Sequence, residues 1–346
     1  RNDIGYFVKK SRIDYENRTI YGDSIYFDRN KNFASATNNI RLIDTLNNSF
    51  ISGHYAEVFK EKDSVFITKR AVAITVRDND SIYVHADTLR ITGKADNRIL
   101  RGYYKARFFK KGLPGEEPTS GKCDSIYVNE KTGITKLLRK PILWTGENQM
   151  TGDTIHLLRN IETSKLDTLK VFKNAFIIQK DSAGYNQVKG ERLIGLFTNN
   201  ELDTINIEKN TQVIFFSRNE EQELVGINNT ISSSIQMYLE KQQTRGIRFN
   251  KKVNGKLYPP SQFPENARVL PGFNWYGDER LFNVNDLFRG KPTFILAKIK
   301  GIPLPKIEDN FFDENSENEL QIPKASKLSP EHFKNKSEDT LPLEEE

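Results

Sequence analysis

Gly152-Asp153-Thr154-Ile155-His156-Leu157 decides how this chain is read. A small residue and an acid open the stretch, and strict alternation follows. Ile155 and Leu157 share one parity, and Thr154 and His156 share the other. A two-residue period marks a strand with one dry and one wet face. The unit recurs at Gly22-Asp23-Ser24-Ile25-Tyr26-Phe27, Gly53-His54-Tyr55-Ala56-Glu57-Val58 and Ala86-Asp87-Thr88-Leu89-Arg90-Ile91. It returns at Cys123-Asp124-Ser125-Ile126-Tyr127-Val128 and Gly190-Glu191-Arg192-Leu193.

A second unit falls between these copies. It is a short polar turn led by Asn39, Arg70, Lys105, Lys140, Asn174 or Asn210, then another alternating strand. Successive leads lie 31 to 36 residues apart, with no helical period between them. The chain is therefore expected to be all-β and built from repeats. One copy cannot bury its dry face alone, but stacked copies share an interior. The expected fold is an elongated pile of short antiparallel strands in repeats of about 31–38 residues, followed by an irregular C-terminal segment. Parity assigns Ile25, Phe27, Ala56, Val58, Leu89, Ile91, Ile126, Val128, Ile155 and Leu157 to the inward face.

Asp followed by Ser or Thr and an aliphatic residue recurs at Asp23, Asp44, Asp63, Asp80, Asp87, Asp124, Asp153, Asp167 and Asp203. Such an Asp accepts hydrogen bonds from turn N–H groups while Ser or Thr starts the next strand. The sharper alternative is a calcium ladder, but the glycine-rich nonapeptide that builds one is absent.

The repeat fades near residue 241. Residues 1–241 are read as the repeat domain. Residues 242–306 are read as an ordered irregular cap, because Phe263, Leu270, Phe273, Trp275, Phe282, Leu287 and Phe288 need burial. Residues 307–346 hold twelve acidic and four basic residues and read as a flexible or partner-bound tail. The remainder carries 48 basic and 34 acidic residues, a net +14 within an overall +6. A basic body suits an anionic partner, and charge alone does not choose among nucleic acid, phosphorylated lipid and acidic polysaccharide.

Several function classes lack their residues. There is no phosphate loop, nucleophile elbow or HExxH helix, so no catalytic residue, metal or cofactor is assigned. The four histidines are scattered, and the lone Cys123 reads as a buried small apolar residue. No apolar run approaches the ~20 residues of a membrane helix. Aromatic and basic residues alternate at Tyr103–Lys111, which reads as a strand with a basic rim before it reads as a nucleic-acid surface. The chain opens at Arg1, as expected of a mature or trimmed product.

The paired copies Gly22–Asp28 with Asn39–Leu42, Gly152–Leu157 with Asn174–Ile177, and Gly190–Leu193 with Asn210–Val213 resemble the OstA-like family. That family includes LptA, LptC and the periplasmic domain of LptD. The resemblance covers about residues 12–240. The run from Gly226, with Leu257-Tyr258-Pro259-Pro260 and Gly272-Phe273-Asn274-Trp275, is similar to the closing part of the Bacteroidetes type. The resemblance implies a twisted, slotted β-jellyroll, or β-taco, and a non-enzymatic role. That role is the passage of lipopolysaccharide through the periplasm toward the outer membrane. Implied partners are lipopolysaccharide, an LptD-like translocon and other OstA-like modules joined by edge-strand addition. It adds Ile40, Leu42, Ala175, Ile177 and Val213 to the inward positions that would hold acyl chains. Leu193 matches as well, and Gly195 takes the next inward position. Arg41, Arg70, Arg90, Lys105 and Arg107 would then meet lipid A phosphates at the strand rims. Two readings stay open on the residues themselves: a trough for acyl chains, or a solid core of a structural, adhesive or polysaccharide-binding solenoid.

Overall fold

The computed structural model describes residues 3–303, apart from 16–17, 47, 78–79, 113–116, 164, 199–200 and 241–242. The acidic segment 307–346, and any role for it, lies outside the described residues. The strands are β1 (Ile4–Tyr15), β2 (Arg18–Asp28), β3 (Phe33–Asp44), β4 (Ser49–Phe59), β5 (Ser64–Thr68), β6 (Val72–Arg77) and β7 (Asp80–His85). They continue as β8 (Thr88–Thr92), β9 (Ile99–Lys110), β10 (Thr119–Asn129), β11 (Ile134–Leu138), β12 (Ile142–Thr145), β13 (Asn148–Thr151) and β14 (Thr154–Arg159). The last are β15 (Leu166–Asp181), β16 (Gly184–Thr198), β17 (Glu201–Arg218), β18 (Leu224–Glu240), β19 (Gln243–Asn250) and β20 (Asn254–Tyr258). Every pairing is antiparallel, so the chain is all-β as its alternation predicts.

The long strands fold over at their middles, and elsewhere a bend joins two short strands that serve as the arms. In β3 the bend is Asn38-Asn39, with φ of 59° and 47°. Arms on either side of it pair separately: Phe33–Thr37 with Tyr55–Phe59, and Ile40–Asp44 with Ser49–Gly53. Left-handed pairs recur at Lys9-Lys10, Lys69-Arg70, Tyr104-Lys105, Arg139-Lys140, Lys173-Asn174, Lys209-Asn210 and Lys251-Lys252. Each is one corner on every second strand. The intervening strands bend at the small-residue units. There His54, Asp87, Asp124 and Asp153 donate their N–H groups to the carbonyls of Lys69, Tyr104, Arg139 and Lys173. Both recurring sequence units are thus corners, lying inside the long strands or between two short ones. The chain-reversing hairpins lie elsewhere, at the far ends of the arms.

Two features explain the corner residues. Asn tolerates the left-handed region better than other residues with a side chain. The corner acids are held by the neighbouring strand: Asn39 Nδ2 donates to Asp23 at 2.9 Å, Arg139 Nη1 to Asp124 at 2.8 Å, and Asn174 Nδ2 to Asp153 at 3.0 Å. Glycine serves where backbones crowd. A Cβ on Gly53 would sit 2.5 Å from Ile67 Cγ2, and one on Gly152 would sit 2.3 Å from Val171 Cγ1.

The arms form two facing sheets joined along the corners. One, here sheet X, contains Ser24–Asp28, Tyr55–Phe59, β5, β8, β11 and β14. The other, sheet Y, contains Arg18–Tyr21, Ser49–Ser52, β6, β7, β12 and β13. A single apolar cluster fills the space between them, from Ile20 and Ile25 to Ile235, Met237 and Leu239. The ladder continues through β19 and β20, so the irregular segment begins at Pro259 instead of 242.

Sheet Y is apolar on its outer face too, with Phe50, Tyr83, Phe109, Trp144, Phe176 and Phe216 buried there. Residues 259–297 cover that face as a strap of short 3-10 turns, one of them over Val284–Phe288. The strap runs back from the last strands to the first. Three fully buried amides grip its backbone. Gln187 donates to Arg268 O (2.8 Å) and accepts from Leu270 N (2.8 Å). Gln149 does the same with Asn274 O (2.7 Å) and Tyr276 N (2.7 Å). Asn38 uses Ala297 for both bonds, at 2.8 and 3.1 Å. Each amide replaces the strand neighbour that the strap lacks, because a buried backbone polar group needs a partner.

Aromatic contacts complete the attachment. Phe294 stacks on His54 at 4.9 Å, and Phe288 meets the His85 ring edge at 4.8 Å. Burial pushes His85 down to about 4, although its Nδ1 lies 2.7 Å from Ala71 O. The folded state therefore binds fewer protons at this site than the unfolded chain, whose imidazole titrates near the ordinary ~6.5. The stabilisation is present above pH ~6.5 and is lost as pH falls toward 4, by up to about 3 kcal/mol. Denaturant midpoints measured from pH 7 to 4 should fall with a slope about one proton steeper in the natural chain than in His85→Leu. Equal slopes would remove His85 from the acid response.

Candidate functional site

The inward face is continuous along the ladder. Near the corners its residues are almost fully enclosed. Ile25, Ile40, Leu42, Ala56 and Ala175 are 1% exposed, and Leu89, Ile155 and Val213 are 0% exposed. Ile91, Ile126 and Ile177 are buried with them. Val58, Val128 and Leu157 are half-buried against the same cluster, nearer the strand ends. Phe27 is half-buried and stacks on Phe7 at 5.7 Å in the first strand pair. All fifteen inward residues read from the sequence thus lie on the face between the sheets or at its first end. Where Gly195 leaves room, Leu202 fills it: a Cβ on Gly195 would sit 2.8 Å from Leu202 Cδ1.

Opposite the corners the two sheets end in hairpins, and this edge is where the interior approaches solvent. Val58, Leu100, Val128 and Leu157 from sheet X and Ile82 and Phe215 from sheet Y form a half-buried apolar seam along it. Alternation explains the seam. The inward row runs out to the strand ends, where no corner covers it.

At one place polar residues close the edge. Arg18 and Asp44 lie at the ends of paired sheet Y arms. Asp63 sits in the β4–β5 hairpin and Arg98 in the β8–β9 connection, both on sheet X. Arg98 Nε lies 3.1 Å from Asp44 Oδ2, and its Nη1 lies 3.4 Å from Asp63 Oδ2. Arg18 Nη1 lies 3.2 Å from Asp63 Oδ1. Both guanidiniums also donate to Gly93 O. The side chains of Arg18, Arg98 and Asp44 are 2%, 4% and 6% exposed and that of Asp63 is 24% exposed, so this is a largely buried four-charge clasp joining the two sheet edges.

The five predicted rim cations lie elsewhere. Arg41 sits above the Phe50 ring on the outer face of sheet Y, at 5.7 Å. Arg107 donates to the strap carbonyls of Asp286, Leu287 and Arg289, and burial holds its guanidinium below the usual range. Arg70, at a corner, stacks over Phe288 at 4.4 Å. Lys105 is exposed at the next such corner. Arg90 lies on the outer face of sheet X, 4.9 Å over Phe66. A residue beside an inward one points out through the opposite face of its sheet, and only strand-end residues reach the open edge. The edge cations are instead Arg18, Arg98 and hairpin residues such as Lys62 and Lys94.

Among the described residues no three His, Cys, Asp or Glu side chains gather as a metal site. Cys123 is buried, and burial pushes its thiol up to about 12, where it is inert at neutral pH. A groove of about 1020 Å³ follows the corners between the strap and residues such as Lys105, Asp124, Lys140 and Asn174. Cys123 and Ala175 of the interior cluster also line it at the corners.

Removing one partner from a buried ion cluster strands the others, at about 3–5 kcal/mol. Asp44→Asn should therefore lower unfolding free energy by that order in chemical denaturation. A loss under ~1 kcal/mol would show the clasp to be solvated in solution.

No family model matches the chain, and no curated protein matches it. Among solved structures it is similar to LptH, the LptA-homologous periplasmic component of the conserved lipopolysaccharide transport device from Pseudomonas aeruginosa. The identity is 15% and the TM-score 0.33, over 41% of this chain and 96% of that one.

Proposed function

We propose that this chain is a non-enzymatic carrier of lipopolysaccharide in the periplasm. In this reading the lipid's acyl chains lie between sheets X and Y. The observation that supports it is the uninterrupted apolar row joined to a half-buried seam at the open edge. Sliding an acyl chain from water into such a space is favoured by about 0.8 kcal/mol per CH₂. The OstA-like character of the two corner units supports the same reading. The inward residues Ile25, Phe27, Ile40, Leu42, Ala56, Val58, Leu89, Ile91, Ile126, Val128, Ile155, Leu157, Ala175, Ile177 and Val213 would line the path. Lys62 and Lys94 stand at the edge where phosphates would emerge.

The first strand fits a docking role. Ile4, Tyr6, Phe7 and Val8 are all exposed on β1, which among the described residues pairs only with β2. An edge strand with free backbone groups accepts another strand. Another module of the same type, or an LptD-like protein at the outer membrane, would add there.

The tight packing near the corners and the buried clasp favour a second reading, a structural solenoid with a solid interior. The two differ in whether the sheets part at the seam. A photocrosslinker at Leu157 or Val128, in chain recovered from a Gram-negative envelope, should capture lipid A. The same group at His156, one residue over on the outer face, should not. Leu157→Asp should abolish capture from position 128 while leaving the circular dichroism spectrum intact. Crosslinks to protein alone from the seam positions would establish the solid-core reading.

A further inference from the structure

The outer face of sheet X carries a basic row, four cations with a tyrosine and a histidine among them, that the carrier role does not use. Strand register places Arg90 opposite Arg101, Arg101 opposite Tyr127, and Tyr127 opposite Lys136. Lys136 then faces His156, and His156 faces Lys170. Six consecutive strands thus contribute one residue each to a single row across the sheet. At the ordinary strand spacing of about 4.8 Å it spans roughly 24 Å. The residues flanking the row on these strands are Thr88 and Thr92, Ile99 and Tyr103, Ser125 and Asn129, Ile134 and Leu138, Thr154 and Leu158, and Thr168 and Phe172. None of them is acidic.

The row is held in place by its own packing. Arg90 lies over Phe66 at 4.9 Å, Arg101 over Tyr127 at 5.2 Å, and Lys136 over the same ring at 5.6 Å. Arg90 Nε donates to Ser64 Oγ and Arg101 Nη1 to Thr92 Oγ1. His156 packs edge-on to Phe172 at 4.8 Å. Its imidazole is held below the ordinary range by burial first, and then by Lys136 and Lys170.

We propose that this row is a binding track for a linear acidic polysaccharide laid across the strands. Charge complementarity selects a polyanion. The one-residue width and regular spacing select a linear chain over a lipid surface, which a broad scatter of mobile cations would serve better. Charged heads already held over aromatic rings lose little further freedom on binding, so Arg90, Arg101 and Lys136 are pre-organised. The flanking Thr and Ser hydroxyls suit sugar hydroxyl groups.

The test uses the full chain and oligogalacturonate, a linear polyuronate, in titration calorimetry at low ionic strength. Binding should be measurable, should weaken as salt is raised, and should be absent for neutral dextran. Arg101→Glu with Lys136→Glu should weaken it at least tenfold. Lys105→Glu with Lys140→Glu, an equal charge change at the corners, should weaken it less than threefold. Arg101→Gln with Lys136→Gln provides a milder loss should the charge reversals disturb folding. No oligogalacturonate binding, equal loss from both reversals, or binding only to anionic phospholipid vesicles would each overturn the proposal.

Discussion

Everything in this architecture depends on the ability of a strand to fold across its own middle without ending. Two consecutive left-handed residues do this on every second strand, and small-residue bends answer them on the strands between. A left-handed non-glycine residue carries strain of order 1–3 kcal/mol. It persists here because the carbonyls and acids of neighbouring corners are tied in turn. One flat sheet would expose its dry face, but the bend lets the sheet serve as its own cover. The apolar interior, the hairpin edge opposite the corners and the seam of half-buried residues all follow from that operation.

The bend also makes the two sheets unequal. Sheet X meets solvent with Thr, Ser, Arg and Lys set among its outer aromatics, while sheet Y is apolar on both faces, with Phe, Trp and Tyr buried on the outer one. The second apolar face explains the strap, and the strap explains the buried amides. Without Gln149, Gln187 and Asn38, an irregular segment could not lie on a dry sheet, since its backbone groups would be stranded. Histidine serves a related purpose. His54 and His85 are aromatic enough to pack on Phe294 and Phe288, and sit at corners where Val or Leu would lack a polar edge.

Much of the fold was legible because alternation is a local signal. Ile155 and Leu157 face inward for the reason read in the sequence: every second residue of a strand shares its face. The corners were legible as interruptions but not as corners. Asn38-Asn39 and Lys173-Asn174 carry the same left-handed tolerance that a reversing turn needs. Only the partners of the next hydrogen bonds distinguish folding a strand from ending it. The strap's aromatic residues announced a need for burial without disclosing where. The clasp was out of reach, since Arg18, Asp44, Asp63 and Arg98 share no spacing. The row from Arg90 to Lys170 was equally hidden, because it exists only once the register of six strands is fixed. The rim assignment of Arg41 and Arg107 failed on geometry: their neighbours in sequence face inward, so they emerge through the far side of sheet Y.

The strap has a consequence for how the molecule comes apart. A ladder whose strands touch only their neighbours behaves as a one-dimensional array, free to fray from either end and to populate partly folded lengths. Here a single segment leaves the last strands, passes β16, β13, β10 and β7, and fastens to Asn38 near the first. It adds a long-range bond to an otherwise nearest-neighbour system. Opening any inner stretch then releases contacts well beyond that stretch, and fraying at one end is felt at the other. The strap turns a stack of separable units into something closer to an all-or-none body.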